Sequence, residues 1–283
     1  MDLKENFDFR KANIYVLLSL DAEHPDKIIS FAERYMLWRR IDSTINCFRR
    51  EIKKRKTQDF NILDIGCGNG YLDFKLKNSV PKYYNLKVIG VDKYKPAIDF
   101  ANTRKKFLHR EDCHFELMDA CNLRFEDDSF DIVVCSEVLE HLKQPRMAIK
   151  EIYRVLKKDG LVIISTPNKR ENVLIKIARF ILKKLSNYKN AELFGNIEDK
   201  HAEFKQEGIR HISVKNHKEW TKIFKQSAFS LQRKIGTGGM LYDYKFWEKH
   251  RILFGLMVIF DALLENLPLS YVWSEIVIFE LRK

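Results

Sequence analysis

A chain of 283 residues with 51 lysines and arginines against 39 aspartates and glutamates has a net charge of +12. It is long enough for one large α/β domain with insertions or for two modest domains, and ordinary apolar content without repeats or Pro-, Gly- or Ser-rich linkers excludes a fibrous or low-complexity chain. The five cysteines form no CxxC pair, and three lie in or beside expected strands, which excludes a zinc ribbon or a disulfide framework and suits a reduced, cytoplasmic protein.

The elements follow in chain order. The N-terminal "MDLKENFDFRK" is charged where a signal peptide needs an apolar core, so secretion is not expected. Ile28, Phe31, Tyr35, Trp38, Ile41, Ile45, Phe48 and Ile52 recur at helical spacing and predict one long amphipathic helix. Residues 1–57 therefore read as a helical cap, and 58–283 as the main domain. Next come "NILDIG" (strand), "GYLDFKLKN" (helix), "KVIGVD" (strand), "KPAIDFANTRKKF" (helix) and "CHFELMDA" (strand). "FDIVVCS" (strand), "PRMAIKEIYRVLK" (helix) and "GLVIIST" (strand) complete the alternation. Such alternation requires βαβ crossovers, so the fold class is α/β, doubly wound, with a mostly parallel sheet.

The basic balance admits three readings: a nucleic-acid partner, an anionic membrane surface, or solvating lysines. It is spread over "RREIKKRK", "TRKKFLHR" and "ILKKL", and no nucleic-acid-binding module accompanies it.

Ligands of doubly wound sheets sit beyond the C-terminal strand ends, and here the loop after the first strand is "DIGCGNG", with Gly66, Gly68 and Gly70. Glycines there admit unusual backbone angles and a ligand close to the backbone N–H groups. Asp92, closing "VIGVD", stands where a carboxylate can accept from two ribose hydroxyls. A dinucleotide fingerprint would need glycine at 71, where Tyr71 stands, and no Gly-Lys-Ser/Thr loop occurs.

"ILDIGCGNG", "VIGVD", "LMDA", "FDIVVCSEVLEHL" and "VLKKDGLVIISTPN" together resemble, in order and spacing, the motifs of class I S-adenosylmethionine-dependent methyltransferases, over roughly residues 60–170. The resemblance implies a seven-stranded Rossmann-like sheet whose last strand is antiparallel, with 229–237 and 274–283 as its final strands. It implies S-adenosylmethionine as cofactor. Asp64, Gly66, Gly68 and Gly70 would surround its methionine part, Asp92 the ribose, and Asp119 with Ala120 the adenine. Ser136 and Glu137 would lie beside the sulfonium. A segment before the first strand would close over the site, with Arg34 or Tyr35 meeting the methionine carboxylate or the acceptor.

The acceptor side offers one clue, "SEVLEHL". A helix starting there would put Glu137, Glu140 and His141 on one face, able to bind Mg²⁺ or Mn²⁺ with a further ligand from His211 or His217. Metal-dependent methyltransferases are similar, among them the ubiquinone-biosynthesis O-methyltransferases and the 2′-O-methyltransferases of small-RNA 3′ ends. In the RNA group a "HxFEWTR"-like element supplies a histidine, and "HKEWTK" (217–222) is one residue shorter. The same "EVLEH" also serves metal-free members of the class, where the glutamate and histidine orient the loop or bind substrate. His141 and His211 are the candidate bases, with Glu137 beside them. His201 is a candidate lining residue of the acceptor pocket, and His109, His114 and His250 read as surface or edge residues.

Insertions near 170–210 and 240–270 are expected to set substrate choice. "NVLIKIARFILKKLSN" (172–187) has one apolar and one basic face, and the unbroken apolar run from Ile252 to Phe260 is too short to span a bilayer. The first reads as a membrane-surface helix or a lid over the site, and the second as a buried helix ahead of a dimer face or a monotopic anchor. Together they favour a lipid-linked or apolar acceptor, with contact at the inner face of a membrane. The sequence reading is thus a methyltransferase acting on an oxygen of a small or lipid-linked metabolite. RNA 2′-O-methylation is the second reading, and a non-catalytic S-adenosylmethionine-binding module the third. Oligomeric state is not legible.

Overall fold

The structure is a computed structural model that describes residues 31–169, 212–237, 255, 258–259, 270–272 and 274–283. The long helix is α1 (Phe31–Lys54). There follow β1 (Asp59–Ile65), α2 (Tyr71–Asn78), β2 (Asn85–Asp92), α3 (Lys95–Phe107), β3 (Cys113–Leu117) and β4 (Phe130–Ser136). A short 3-10 turn, Leu139–His141, leads to α4 (Pro145–Val155) and β5 (Leu156–Pro167). Then come α5 (His217–Gln226), β6 (Ser230–Thr237), a second 3-10 turn (Ser270–Val272) and β7 (Ile276–Arg282).

The seven strands form one sheet in the order β3-β2-β1-β4-β5-β7-β6. β1 pairs in parallel with β2 and β4, β2 with β3, and β4 with β5. β7 runs antiparallel between β5 and β6. The expected seven-stranded, mostly parallel sheet is the one observed.

Its strands are apolar on both faces because helices cover both, and the two-residue period sorts their side chains between two cores. Leu63, Val133, Cys135 and Val162 meet Ile149 and Ile152 of α4 and Trp220 and Phe224 of α5. Ile62, Val88, Ile132 and Ile163 meet Phe48 and Ile52 of α1, Leu76 and Ile98. Phe48 and Ile52 are fully buried, each worth about 1.5–3 kcal/mol of transfer free energy, so the second half of α1 is fixed to the sheet.

Successive connections run outward from β1 toward β3 and from β4 toward β6, so the strand order reverses between β1 and β4. The crevice beyond their C-terminal ends is where such a sheet holds a ligand. The loops that open there are Gly66–Gly70 and Ser136–Leu142.

Candidate active site

The glycine loop is wound back onto β2. Gly66 and Cys67 donate their N–H groups to Val91 O at 2.7 and 3.1 Å, and Gly70 donates to Cys67 O at 3.0 Å. Gly66 and Gly70 have positive φ, and a Cβ would lie 2.2 Å from Val138 Cγ2 at the first and 2.6 Å from Phe115 Cζ at the second. At Gly68, φ is 52° and a Cβ would meet nothing within 4 Å. Two glycines are thus required by the protein's own packing, whereas the third borders open space. Cys67 fits because Gly90 lies under it, where a Cβ would come within 2.8 Å. Burial pushes the Cys67 thiol up, away from any nucleophilic role.

Arg104 of α3 fastens the loop from outside. It is buried, donates through Nη1 to Asn69 O and Oδ1 at 3.0 and 3.1 Å, and lies over the Phe100 ring. Burial pushes its pKa down to about 10, which still leaves it charged at neutral pH. Its sequence position inside the "TRKKFLHR" charge run concealed this role.

Asp92 ends β2 with both oxygens engaged: Oδ2 accepts from Gly68 N–H at 3.0 Å and Oδ1 from Tyr94 N–H at 2.9 Å. One carboxylate therefore holds the loop and borders the open space at Gly68. Burial pushes its pKa up, partly offset by the Gly68 and Lys93 N–H groups and the Lys93 charge. Beyond β3, Met118 N–H donates to Asp92 O at 2.9 Å, which brings Asp119 and Ala120 to the same edge. Asp119 is exposed, with Oδ1 accepting from Cys121 N–H at 2.8 Å, and Ala120 is buried.

Asp64, on β1, and Asp73, on α2, are 1 % and 0 % exposed. Asp64 Oδ1 and both oxygens of Asp73 have no hydrogen-bond partner. Burial pushes both groups up, Asp73 to about 7, and Asp64 is raised further by the charge of Asp73 beside it. Buried polar atoms of this kind are normally satisfied, and these three, shut off from solvent beneath the glycine loop, are exceptions.

At the end of β4 the backbone departs from expectation. No helix starts at Ser136. Glu137 has φ 58°, donates its N–H to Ser165 O at 3.0 Å, and only Leu139–His141 is helical, as a single 3-10 turn. Glu137, Glu140 and His141 consequently do not share one helical face. Glu137 turns to Ser165 Oγ (3.1 Å), itself bonded to Ser136 Oγ (2.8 Å), and forms an ion pair with Arg40 Nη1 at 3.5 Å. Glu140 is wholly buried, both carboxylate oxygens lack a partner, and its carbonyl accepts from Ile212 and Ser213 N–H. His141 is partly exposed, with Nε2 3.9 Å from Glu140 Oε1. Burial pushes Glu140 well up, and the Glu137 charge adds to it. Among the described residues no three His, Cys, Asp or Glu side chains are grouped to hold a metal ion. His211, His201 and the two insertions, apart from residues 255, 258, 259 and 270, lie outside the described residues.

His217 donates its backbone N–H to Asn168 Oδ1 at 3.0 Å. It begins α5, with its ring against Tyr271 at 5.0 Å, and burial with the charges of Lys234 and Lys218 pushes its pKa down. The "HKEWTK" element has a structural explanation. Asn216 caps α5, accepting from Lys218 and Glu219 N–H at 2.9 and 3.0 Å, while Glu219 Oε2 accepts from Asn216 N–H at 2.8 Å. Trp220 fills the core. Asn216-x-x-Glu219 is the sequence signal of that capping box.

Of the cap helix, the side chain of Arg34 lies outside the described residues, and Tyr35 lies 6.0 Å from the Trp38 ring. Arg40 is the residue that reaches the site. Its charge bears on Asp64, Glu137 and Glu140 together.

The description of the methyltransferase domain family matches residues 56–228 of this chain. The chain belongs to that family. It is a class I S-adenosylmethionine-dependent methyltransferase by motif, fold and family match. Similar curated proteins include a tRNA U34 carboxymethyltransferase of Sulfurimonas denitrificans, 35% identical over 112 residues, covering 38% of this chain and 35% of that one. A ubiquinone biosynthesis O-methyltransferase of Glaesserella parasuis is 31% identical over 131 residues, covering 44% and 53%. The chain thus spans about a third to a half of the length of these relatives. In structure it is similar to the YcgJ protein of Bacillus subtilis, with TM-score 0.52 and 20% identity over 84% of this chain and 98% of the other. That likeness shows the fold.

The residues present fit the cofactor of the family. Gly68 borders open space, and Asp92 holds that loop in place.

Proposed function

We propose that the enzyme transfers the methyl group of S-adenosylmethionine to an oxygen of a small or lipid-linked metabolite. The observation that supports this most is the gathering of buried Asp64, Asp73 and Glu140 and half-buried Asp92 and Glu137 at the loops beyond β1, β2 and β4. A crevice there suits a cationic donor and an uncharged acceptor. The donor supplies an activated methyl group on a sulfonium, so the chain must align the reacting atoms, exclude water and manage one proton.

Each residue has a role in that reading. Asp92 receives the ribose hydroxyls, Gly66, Gly68 and Gly70 admit the methionine part beside Asp64, and Asp119 with Ala120 borders the adenine. Ser136 and Glu137 lie next to the sulfonium, with Glu137 held by Ser165 and Arg40. His141 takes the proton of the acceptor hydroxyl. Its Nε2 lies 3.9 Å from Oε1 of the buried Glu140. His211 is the alternative base. A divalent ion at Glu137, Glu140, His141 and His211 is not needed by this route, and a chelator arm tests it.

A ubiquinone-pathway O-methyltransferase among the relatives supports the small-acceptor reading. A tRNA-modifying relative and the +12 charge support RNA as a second. The test is isothermal titration with S-adenosylmethionine, followed by methyl-transfer assays on hydroxylated quinones and RNA ends, with Mg²⁺, Mn²⁺ or chelator. Asp92→Ala is expected to weaken cofactor binding at least about tenfold, since about 1.4 kcal/mol of lost hydrogen bonding is a factor of ten. Methylation of RNA alone, weakening steeply with salt as phosphate contacts release counterions, would replace the first reading by the second. A folded wild type that binds no cofactor would sink both.

A further inference from the structure

The helices α4 and α5 cover the same face of the sheet. Ile149 and Ile152 of the first and Trp220 and Phe224 of the second fill one core, and Arg146 Nη2 donates to Gln226 Oε1 at 2.8 Å across the pair. With those apolar side chains turned inward, the helical period turns Arg146 and Lys150 outward on α4. It likewise turns Lys218, Lys222 and Lys225, at i, i+4 and i+7, outward on α5. All five are exposed.

None of the five has an acidic partner among the described residues. The carboxylates of the two helices are engaged elsewhere: Glu151 holds Arg154 and the Leu123 N–H, and Glu219 accepts from the Asn216 N–H. On the helices of the other face, by contrast, Arg50, Arg55, Lys77, Lys95 and Lys105 each pair with a carboxylate. Folding gains nothing from the unpaired rows. Like charges at i, i+3 and i, i+4 destabilise a helix. Arg146 and Lys218 also stand in first turns, where the helix dipole disfavours a cation. Between Arg146 and Lys150 the apolar Met147 is 48 % exposed.

We propose that the outer side of α4 and α5 docks against a lipid bilayer bearing anionic headgroups. The inference goes beyond the proposed methyl acceptor and stands without it. An anionic leaflet attracts each lysine or arginine held close to it, and an exposed methionine among them can enter the apolar boundary. A single-stranded nucleic acid would need aromatic platforms for its bases besides cations. The large exposed aromatic side chains among the described residues, Trp38 and Tyr83, lie on α1 and in the connection before β2, outside this face. Both helices also start beside the crevice: α4 follows the Leu139–His141 turn, and Glu140 O accepts from Ile212 and Ser213 N–H just ahead of α5. Docking through them holds the crevice close to the bilayer surface.

The experiment is co-sedimentation of the full chain with vesicles of phosphatidylcholine alone and of phosphatidylcholine mixed with phosphatidylglycerol, at low and high salt, beside fluorescence anisotropy with a single-stranded RNA. Wild type is compared with Lys218→Gln/Lys222→Gln/Lys225→Gln and with Lys53→Gln/Lys54→Gln/Lys106→Gln. The second variant removes three exposed charges from α1 and α3, so both variants have the same net charge. Wild type and the α1/α3 variant are expected to bind the mixed vesicles, less in high salt, and to ignore the neutral ones. The α5 variant is expected to weaken about fivefold per charge removed, roughly a hundredfold in all. Its urea midpoint should match that of wild type, because the three sites are exposed. If it does not fold, Arg146→Gln/Lys150→Gln makes the same comparison, with a loss of about twenty-fivefold. Equal weakening by the α5 and α1/α3 variants would reduce the effect to net charge and overturn the proposal. So would a folded wild type that leaves the mixed vesicles unbound, or RNA binding that the α5 variant loses while its vesicle binding persists. Titration with S-adenosylmethionine, expected to be the same for all these proteins, reads the donor site separately.

Discussion

Gly66→Ala separates what the fold requires of the glycine loop from what a ligand requires. Alanine at φ 74° costs about 1–2 kcal/mol for the left-handed conformation. Its Cβ would also stand 2.2 Å from Val138 Cγ2, where real contacts essentially never fall below 3.0 Å. Forcing Val138 aside adds about 1–3 kcal/mol of overpacking, for a total loss of about 2–5 kcal/mol. A domain stable by about 5–15 kcal/mol survives that. Gly68→Ala, at φ 52° with nothing within 4 Å, is expected to lose only the conformational part, about 1–2 kcal/mol. Its Cβ instead enters the open space and should abolish cofactor binding while the fold persists. The assay is urea unfolding of Gly66→Ala, Gly68→Ala, Val138→Ala and the Gly66→Ala/Val138→Ala pair, with cofactor titration on each. Truncating Val138 removes the clashing methyl, so the double variant should recover at least about 1 kcal/mol relative to additivity. Equal losses for the two glycine variants, or strict additivity of the pair, would refute the packing argument. Retained binding by Gly68→Ala would refute the assignment of the open space.

Two further outcomes follow from the charges. Burial raises the Glu140 pKa, so the folded protein holds a proton that the unfolded chain releases above its ordinary value of 4.5. The stability from this group is complete below that value and is lost as pH rises through the raised one. Glu140→Gln should therefore match wild type in urea unfolding near pH 4 and exceed it by about 1–2 kcal/mol near pH 8, and a loss at pH 8 would mean an ion pair holds Glu140. Arg40→Met removes the cation facing Glu137 and should lower stability by about 1–2 kcal/mol, discounted for its partial exposure, and weaken cofactor binding. An unchanged cofactor affinity would remove Arg40 from the site.

The loop geometry at the ends of β1 and β2 was legible because its requirements are local. A glycine loop needs residues without Cβ at fixed spacing, and a strand-end carboxylate such as Asp92 announces itself by position. Strand and helix periods sorted Ile62 from Leu63 and placed α1 through Phe48 and Ile52. What escaped was set by tertiary neighbours. Arg104 sits in a run of basic residues that reads as solvated surface, and only the packing of α3 turns it onto Asn69. Arg40 lies one and a half turns beyond the cap-helix position expected to reach the site, because helix position relative to the sheet is not written in its periodicity. The "SEVLEHL" misreading has a specific cause. Spacing of i, i+3 and i+4 implies one face only if the helix begins there, and the left-handed Glu137 breaks it. At "HKEWTK" a local signal was also present: Asn216 and Glu219 form a capping box, which accounts for the glutamate of the element.

The placement of charge bears on the acceptor. The carboxyl groups of the crevice lie at the C-terminal ends of β1, β2 and β4. Four of the described basic residues lie at the opposite edge of the sheet and are paired there. Arg55 and Arg282 flank Glu51, Lys157 pairs with Asp131 at 2.9 Å, and Lys283 pairs with Asp128 at 2.6 Å. Because β7 is antiparallel, its final residue Arg282 falls at the edge where β1 and β4 begin. A polyanion drawn to those residues would dock away from the sulfonium, and one entering the crevice would meet carboxylates in a region of low dielectric, where repulsion is strongest. Net charge and the partial "EWTK" resemblance together made RNA a reading of the sequence. The carboxyl groups at the crevice support the proposed small, uncharged acceptor over a polyanion.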